Sequence, residues 1–243
     1  MLVSKPGTGS AMIDLRPFSS LGTADHGWLK ARHHFSFSAY RDPRRMNWGR
    51  LRVWNDDVIA PRSGFPTHGH QDMEIITYVR EGAITHRDSL GNMGRTGAGD
   101  VQVMSAGTGV THSEFNMEDV ETRIFQIWIL PDQAGGQPAW GARPFPKSDR
   151  TGRFGVLASG MAGDEGALPI RAQARVLGAT LRAGERVVYP SRPDRFLYLA
   201  PALGRVRLGD TEVNARDGVA IAGLDRLELI ALEDSELVLV DTA

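Results

Sequence analysis

The feature that most limits what this chain can fold into is its punctuation. Its 28 glycines and 13 prolines are spread over all 243 residues and separate short apolar runs in which large apolar and polar side chains alternate. Met73–Arg80, Val101–Met104 and Thr122–Leu130 are such runs, too short and of the wrong period for helices. Alternation turns one face of a strand inward, and Gly-rich breaks such as Glu81-Gly82, Leu90-Gly91-Asn92 and Gly97-Ala98-Gly99-Asp100 reverse the chain. The pattern predicts an all-β protein. Ile13–Arg16 reads as a short strand, Leu51–Ile59 as a strand and a turn, and Ala83–Ser89 as one arm of a hairpin.

Residues 132–152 change character, with Gly135-Gly136, Pro138, Pro144 and Pro146 close together. They read as an extended connection between a first domain, 11–131, and a second, 153–243. The second set of runs includes Ala174–Leu181, Arg195–Ala200 and Gly204–Leu208, the last turning at Gly209-Asp210 into Thr211-Glu212-Val213. Ala215–Ile221 echoes Gly97–Val103, a faint internal repeat, so two β-barrels or sandwiches of similar plan are the economical arrangement.

The composition excludes several classes of function. Basic and acidic residues number 28 and 29, for a formal net charge of −1, which gives no general attraction to nucleic acid or an anionic membrane. There are no cysteines, hence no disulfide, thiolate metal site or cysteine nucleophile. The first ten residues have no apolar signal core and read as loose, and no later stretch is apolar enough to span a bilayer. A cytoplasmic protein is expected.

Within this frame, Thr67-His68-Gly69-His70 and Thr111-His112-Ser113-Glu114 each carry a pair of metal-ligand types separated by one residue. On a strand such pairs project to one face, so two facing strands would offer three imidazoles and a carboxylate to a divalent metal. Glu74, four residues beyond His70, competes with Glu114 for the carboxylate position, and spacing alone leaves that choice open. All seven histidines lie within the first 112 residues, which confines metal chemistry of this kind to the first domain. His86-Arg87-Asp88-Ser89 reads as a polar surface strand, because no nucleophile elbow accompanies it. Gly107-Thr108-Gly109 reads as a tight turn rather than a phosphate loop, and Asp42-Pro43-Arg44-Arg45 as a solvated turn. His33, beside Phe35 and Phe37, either borders a pocket or packs in a core.

The run Gly64–Val79 closely resembles the first cupin motif as it occurs in pirins, and Met104–Glu114 resembles the second. His26–Leu29, His33–Phe37 and Asp56–Ile59 are also pirin-like. The resemblance covers residues 13–131 closely and continues more weakly to the C-terminus, where it is to the bacterial quercetinase-like pirins. It implies a bicupin: two β-barrel or jelly-roll cupin domains, the first holding a metal and the second metal-free. General cupins take a glutamate from the first motif, here Glu74, whereas pirins take it from the second, here Glu114. The resemblance therefore implies His68, His70, His112 and Glu114 as ligands of one divalent transition metal ion: Fe, Mn, Co, Ni, Cu or Zn. Ser105, where general cupins favour proline, and the longer spacing to His112 are pirin-like departures.

Some pirins cleave the flavonol quercetin with dioxygen. The resemblance implies a quercetin 2,3-dioxygenase that releases carbon monoxide, with Glu114 as catalytic base and a flavonol-like aromatic molecule and dioxygen as its reactants. The alternative is a metal-binding regulatory protein acting through a protein partner without turnover, as a eukaryotic relative does in the nucleus. The family name alone does not choose between them.

Overall fold

The computed structural model describes residues 11–243, so the loose terminus expected for residues 1–10 lies outside the described part. Among the described residues there are strands and three short 3-10 turns but no α-helix, as the punctuation predicted. Among the described residues no helix is long and apolar enough to cross a membrane.

The strands form two seven-stranded and two four-stranded sheets. In the first large sheet the order is Ala139–Arg143, Val101–Ser105, Glu74–Glu81, Thr122–Ile129, Leu51–Ile59, Leu29–His33 and Gly22–Asp25. Its small partner runs Ser63–His70, Val110–Asn116, Ala83–Asp88 and Met93–Gly97. The second large sheet repeats the plan as Met12–Arg16, Gly218–Ala222, Phe196–Leu203, Ser235–Thr242, Ala174–Leu181, Gly155–Ser159 and Leu168–Pro169. Its small partner runs Arg186–Pro190, Arg226–Ala231, Val206–Leu208 and Thr211–Val213. The echo between Gly97–Val103 and Ala215–Ile221 is real: Val101–Ser105 and Gly218–Ala222 hold equivalent places in their sheets.

The chain crosses between the two barrels. Met12–Arg16, first in sequence, pairs antiparallel with Gly218–Ala222 and so edges the second barrel's large sheet. The stretch expected to be extended between domains contains a strand, Ala139–Arg143, which covers the edge of Val101–Ser105 in the first barrel, and the 3-10 turn Lys147–Arg150. An uncovered edge would leave a row of unpaired N–H and C=O groups. Pro138 and Pro144 bracket this strand, so the proline cluster marks its limits rather than its absence.

The two large sheets pack against each other through one face of each. Trp54, Tyr78, Phe125 and Ile127 of the first meet Phe196, Tyr198 and Val240 of the second in a single buried cluster. Trp54 and Phe35 both lie against Tyr198, with ring centroids 5.4 and 5.0 Å apart. Such contacts add about 0.5–1.5 kcal/mol each beyond simple burial. Leu51–Ile59 is a strand throughout, not a strand and a turn. Its two central acids survive mid-strand because they point to opposite faces. Asp56 enters the seam, where Arg80 and Arg216 neutralise it, and Asp57 enters the first barrel.

The inward faces of the two barrels differ in kind. The second is filled by Leu177, Leu197, Leu199, Leu229, Leu237 and their apolar neighbours. The first buries Asn55, Asp57, Thr77, Gln102, Glu114 and Gln126. In the second barrel the strands equivalent to the two histidine-bearing ones pair Val187 with Leu229 and Tyr189 with Leu227. No imidazole or thiolate stands there, and the Tyr189 hydroxyl is spent on Asp241. Metal analysis of the reconstituted protein should therefore give one tightly held ion per chain, and two would contradict this assignment.

Candidate metal centre

Ser63–His70 and Val110–Asn116 are antiparallel neighbours in the first barrel's small sheet, with His68 opposite His112 and His70 opposite Val110. Strand alternation turns His68 and His70 to one face, and ring nitrogens of His68, His70 and His112 come within 4.8 Å of one another. The Nε2 atoms of His112 and His68 are 3.2 Å apart. His68 Nδ1 donates to Pro66 O at 2.7 Å, which leaves its Nε2 as the lone pair facing the cluster. Burial, and secondarily the neighbouring His68, lowers the His70 pKa to about 4. Burial, and secondarily His68, His70 and His86, lowers that of His112 to about 3. Both rings are thus uncharged at neutral pH. Metal–nitrogen bonds of ~2.0–2.1 Å place adjacent ligand nitrogens about 3 Å apart, so the cluster suits an ion and leaves facing lone pairs without one.

Behind this cluster lies a group that the sequence reading put on the surface. His86 is fully buried, and its strand sets it directly across from Glu114. Its Nδ1 is 3.3 Å from His112 Nδ1, its Nε2 is 3.0 Å from Asp88 Oδ2, and its ring stacks on Trp140 at 4.8 Å and 8°. One proton arrangement joins these contacts and leaves His112 Nε2 bare for a metal: His86 Nε2–H donates to Asp88 and His112 Nδ1–H donates to His86. With a metal on Nε2, the relay holds His112 in the tautomer that the metal needs. The missed signal was parity, since His86 shares a face with buried Ile84. Partners that orient a metal-binding histidine are worth ~10–100-fold in metal affinity, so His86→Leu should weaken binding by that factor, read by competition with a chelator. Unchanged affinity would refute the relay.

Glu114 is enclosed. It accepts hydrogen bonds from Gln102 Nε2 at 2.6 Å, Gln126 Nε2 at 2.8 Å and Thr77 Oγ1 at 3.1 Å. Both amide orientations are set from behind, because Thr96 Oγ1 donates to Gln102 Oε1 and the indole N–H of Trp128 donates to Gln126 Oε1. Burial raises the Glu114 pKa to about 7 against the lowering effect of these three donors. Its carboxyl groups with His86 and His112 within 4.8 Å, whereas the set of His68, His70 and His112 does not include it. Three of the four expected ligands therefore converge, with Glu114 beside the third.

Glu74 points elsewhere. Residues 71–73 leave the strand, Asp72 adopts a positive φ of 49°, and Glu74 starts a strand of the large sheet. The parity that would have aligned it with His70 is broken there, and its carboxyl accepts from Ser105 Oγ at 2.5 Å. Gly107-Thr108-Gly109 is the tight turn expected. A side chain at Gly107, φ 49°, would strike Gly136 O at 2.2 Å, so this glycine lets the connection lie against the turn that launches His112.

His68 and His70 border a cavity of about 420 Å³ at the mouth of the first barrel, within the range of small-molecule sites. His68, His70 and Trp128 form one wall, and Trp28, Phe37 and Phe65 supply further aromatic faces. Trp28 meets Phe65 edge-on at 5.2 Å, and Phe37 meets Trp128 at 5.4 Å. His33 lines the cavity as well, held by Asn55 at 2.8 Å, so the pocket reading of that residue prevails. Asp57 is also in the wall, and burial, then Asp56 and Glu114, pushes its carboxyl well above the usual range.

Comparison with known proteins gives a consistent picture. Residues 14–129 match the Pirin family, and residues 156–242 match the Quercetinase C-terminal cupin domain. The Pirin-like protein of Caulobacter vibrioides is 63% identical over 96% of this chain and 100% of its own length. The Quercetin 2,3-dioxygenase of Escherichia coli K12 is 39% identical over 95% of this chain and 98% of its own. The crystal structure of bacterial pirin YhhW in complex with nickel(II), from Escherichia coli, superposes with a TM-score of 0.89 at 38% identity, covering 95% of this chain and 99% of that one. The bicupin architecture is thereby shared. The histidine cluster and the carboxyl beside it suit a single divalent transition metal ion, and in the solved relative that ion is nickel.

Proposed function

This chain belongs to the pirin family, and on that premise we propose that it is a cytoplasmic, metal-dependent dioxygenase of the quercetinase type, which opens a flavonol such as quercetin with dioxygen and releases carbon monoxide. The observation that carries this reading is the convergence of His68, His70 and His112, the first two of them in the wall of an aromatic-lined cavity. His68, His70, His112 and Glu114 are the proposed ligands. When bound, a divalent metal there supplies a Lewis acid that lowers the pKa of the flavonol's 3-hydroxyl.

The chain's own residues do the rest. Trp28, Phe37, Phe65 and Trp128 offer ring faces and edges to a flat, electron-rich substrate and keep water from it. Glu114 is the proposed base, because its carboxylate stands beside His112 at the edge of the histidine cluster, where a proton leaving a hydroxyl at the metal can be taken up. Gln102 and Gln126 steady the carboxylate as its charge changes.

Oxygen consumption with quercetin, after loading with each candidate metal in turn, tests the proposal. Metal-dependent uptake supports the enzyme. Metal-dependent binding of a protein partner, with no uptake for any metal or flavonol, would transfer the assignment to a regulatory protein.

A further inference from the structure

Asp57 is a buried acid that the reaction as described does not use. It is 2% exposed, lies on the inward face of Leu51–Ile59, and lines the same cavity as His68 and His70. Its Oδ1 has no hydrogen-bond partner among the described residues. Arg80, the cation that bears on it, pairs instead with Asp56 on the opposite face, as does Arg216. Other polar atoms of the cavity are already engaged: Asn55 Oδ1 with His33, and Gln126 Oε1 with Trp128. A buried polar group left without a partner costs free energy, and a charge costs more, unless a ligand completes it.

We propose that Asp57 is a specificity-determining residue of this cavity, whose carboxyl receives a phenolic hydroxyl of the bound polyphenol other than the hydroxyl at the metal. The inference rests on the flavonol reading above and deepens it. The histidine centre, when it holds its metal, would take the 3-hydroxyl, which every flavonol carries. Asp57 selects among flavonols for those with further hydroxyls. A carboxyl oxygen accepts from a phenol whether or not the acid is ionised, so the role does not depend on its protonation. A site built around a hydrogen bond discriminates strongly against an analogue that lacks the group, because its own polar atom is then left unpaired.

The test is equilibrium binding to the full chain loaded with nickel(II), without oxygen so that nothing turns over. Quercetin is compared with 3-hydroxyflavone, which keeps the 3-hydroxyl and keto group and lacks the other hydroxyls. Wild type should prefer quercetin by ~10-fold or more, and Asp57→Leu should erase that preference by weakening quercetin alone. Asp57→Asn, which keeps an acceptor, should retain part of it. Asp57→Ala decides the same point if the leucine variant does not fold. Full preference retained in Asp57→Leu, or equal loss for both ligands, would overturn the inference and leave the flavonol reading intact. Failure of wild type to bind either flavonol would overturn both.

Discussion

Replacing His112 with alanine will leave a folded protein that no longer holds its metal. His112 is the hub of the centre: its Nε2 faces His68, its Nδ1 is steered by His86, and its ring lies 5.0 Å from that of His70. Loss of an orienting partner alone costs ~10–100-fold in metal affinity, so loss of the ligand itself should exceed ~10²-fold. The seam between the barrels, the largest of the buried apolar clusters, does not include His112, so the fold should survive. Metal content after dialysis and the thermal midpoint together give the answer. Glu74→Gln is the matched control, because Glu74 faces Ser105 and should leave metal content unchanged. Retention of metal by His112→Ala, or its loss from Glu74→Gln, would relocate the site.

The second large effect is on turnover. Glu114→Gln keeps the shape of the side chain and removes the basic carboxylate. General acid–base groups contribute ~10²–10⁴-fold in rate, so a loss of at least ~10²-fold per bound metal is expected. The carboxylate now sits among three donors, and the orientations of Gln102 and Gln126 are locked by Thr96 and Trp128. A glutamine at 114 would turn an NH₂ against one of those donors, so some loss of stability should accompany the change. Rate must therefore be divided by metal content, and the thermal midpoint recorded. A metal-loaded Glu114→Gln that turns over as fast as wild type would remove Glu114 as the base.

Much of this was legible in the sequence for a physical reason. Strand periodicity is local, so the all-β class, the turn at Leu90-Gly91-Asn92 and the paired spacing of His68, His70 and His112 could all be read without knowing what faces what. Partners far apart in the chain could not. The pairing of Met12–Arg16 with Gly218–Ala222 depends on which barrel has an open edge, which no local pattern encodes. His86 and Asp88 look like surface residues until Val110–Asn116 and Trp140 close over them. Glu74 shows the converse, because a parity argument holds only while the strand continues, and the positive φ at Asp72 ends it. One signal was available and unread: Gln102 and Gln126 each interrupt an apolar run, Val101-Gln102-Val103 and Phe125-Gln126-Ile127, at inward positions. Buried amides there need a polar partner, and that partner is Glu114.

The claim that this chain is a flavonol dioxygenase is tested most directly by following the atoms of dioxygen. The metal-loaded protein is given quercetin under isotopically labelled dioxygen, and the products are weighed by mass spectrometry. Cleavage of the heterocycle with loss of C3 predicts that both labelled atoms enter the ring-opened product, while the carbon monoxide carries the substrate's own oxygen and stays unlabelled. A product with one labelled atom or none, or consumption of oxygen without carbon monoxide, would contradict the account.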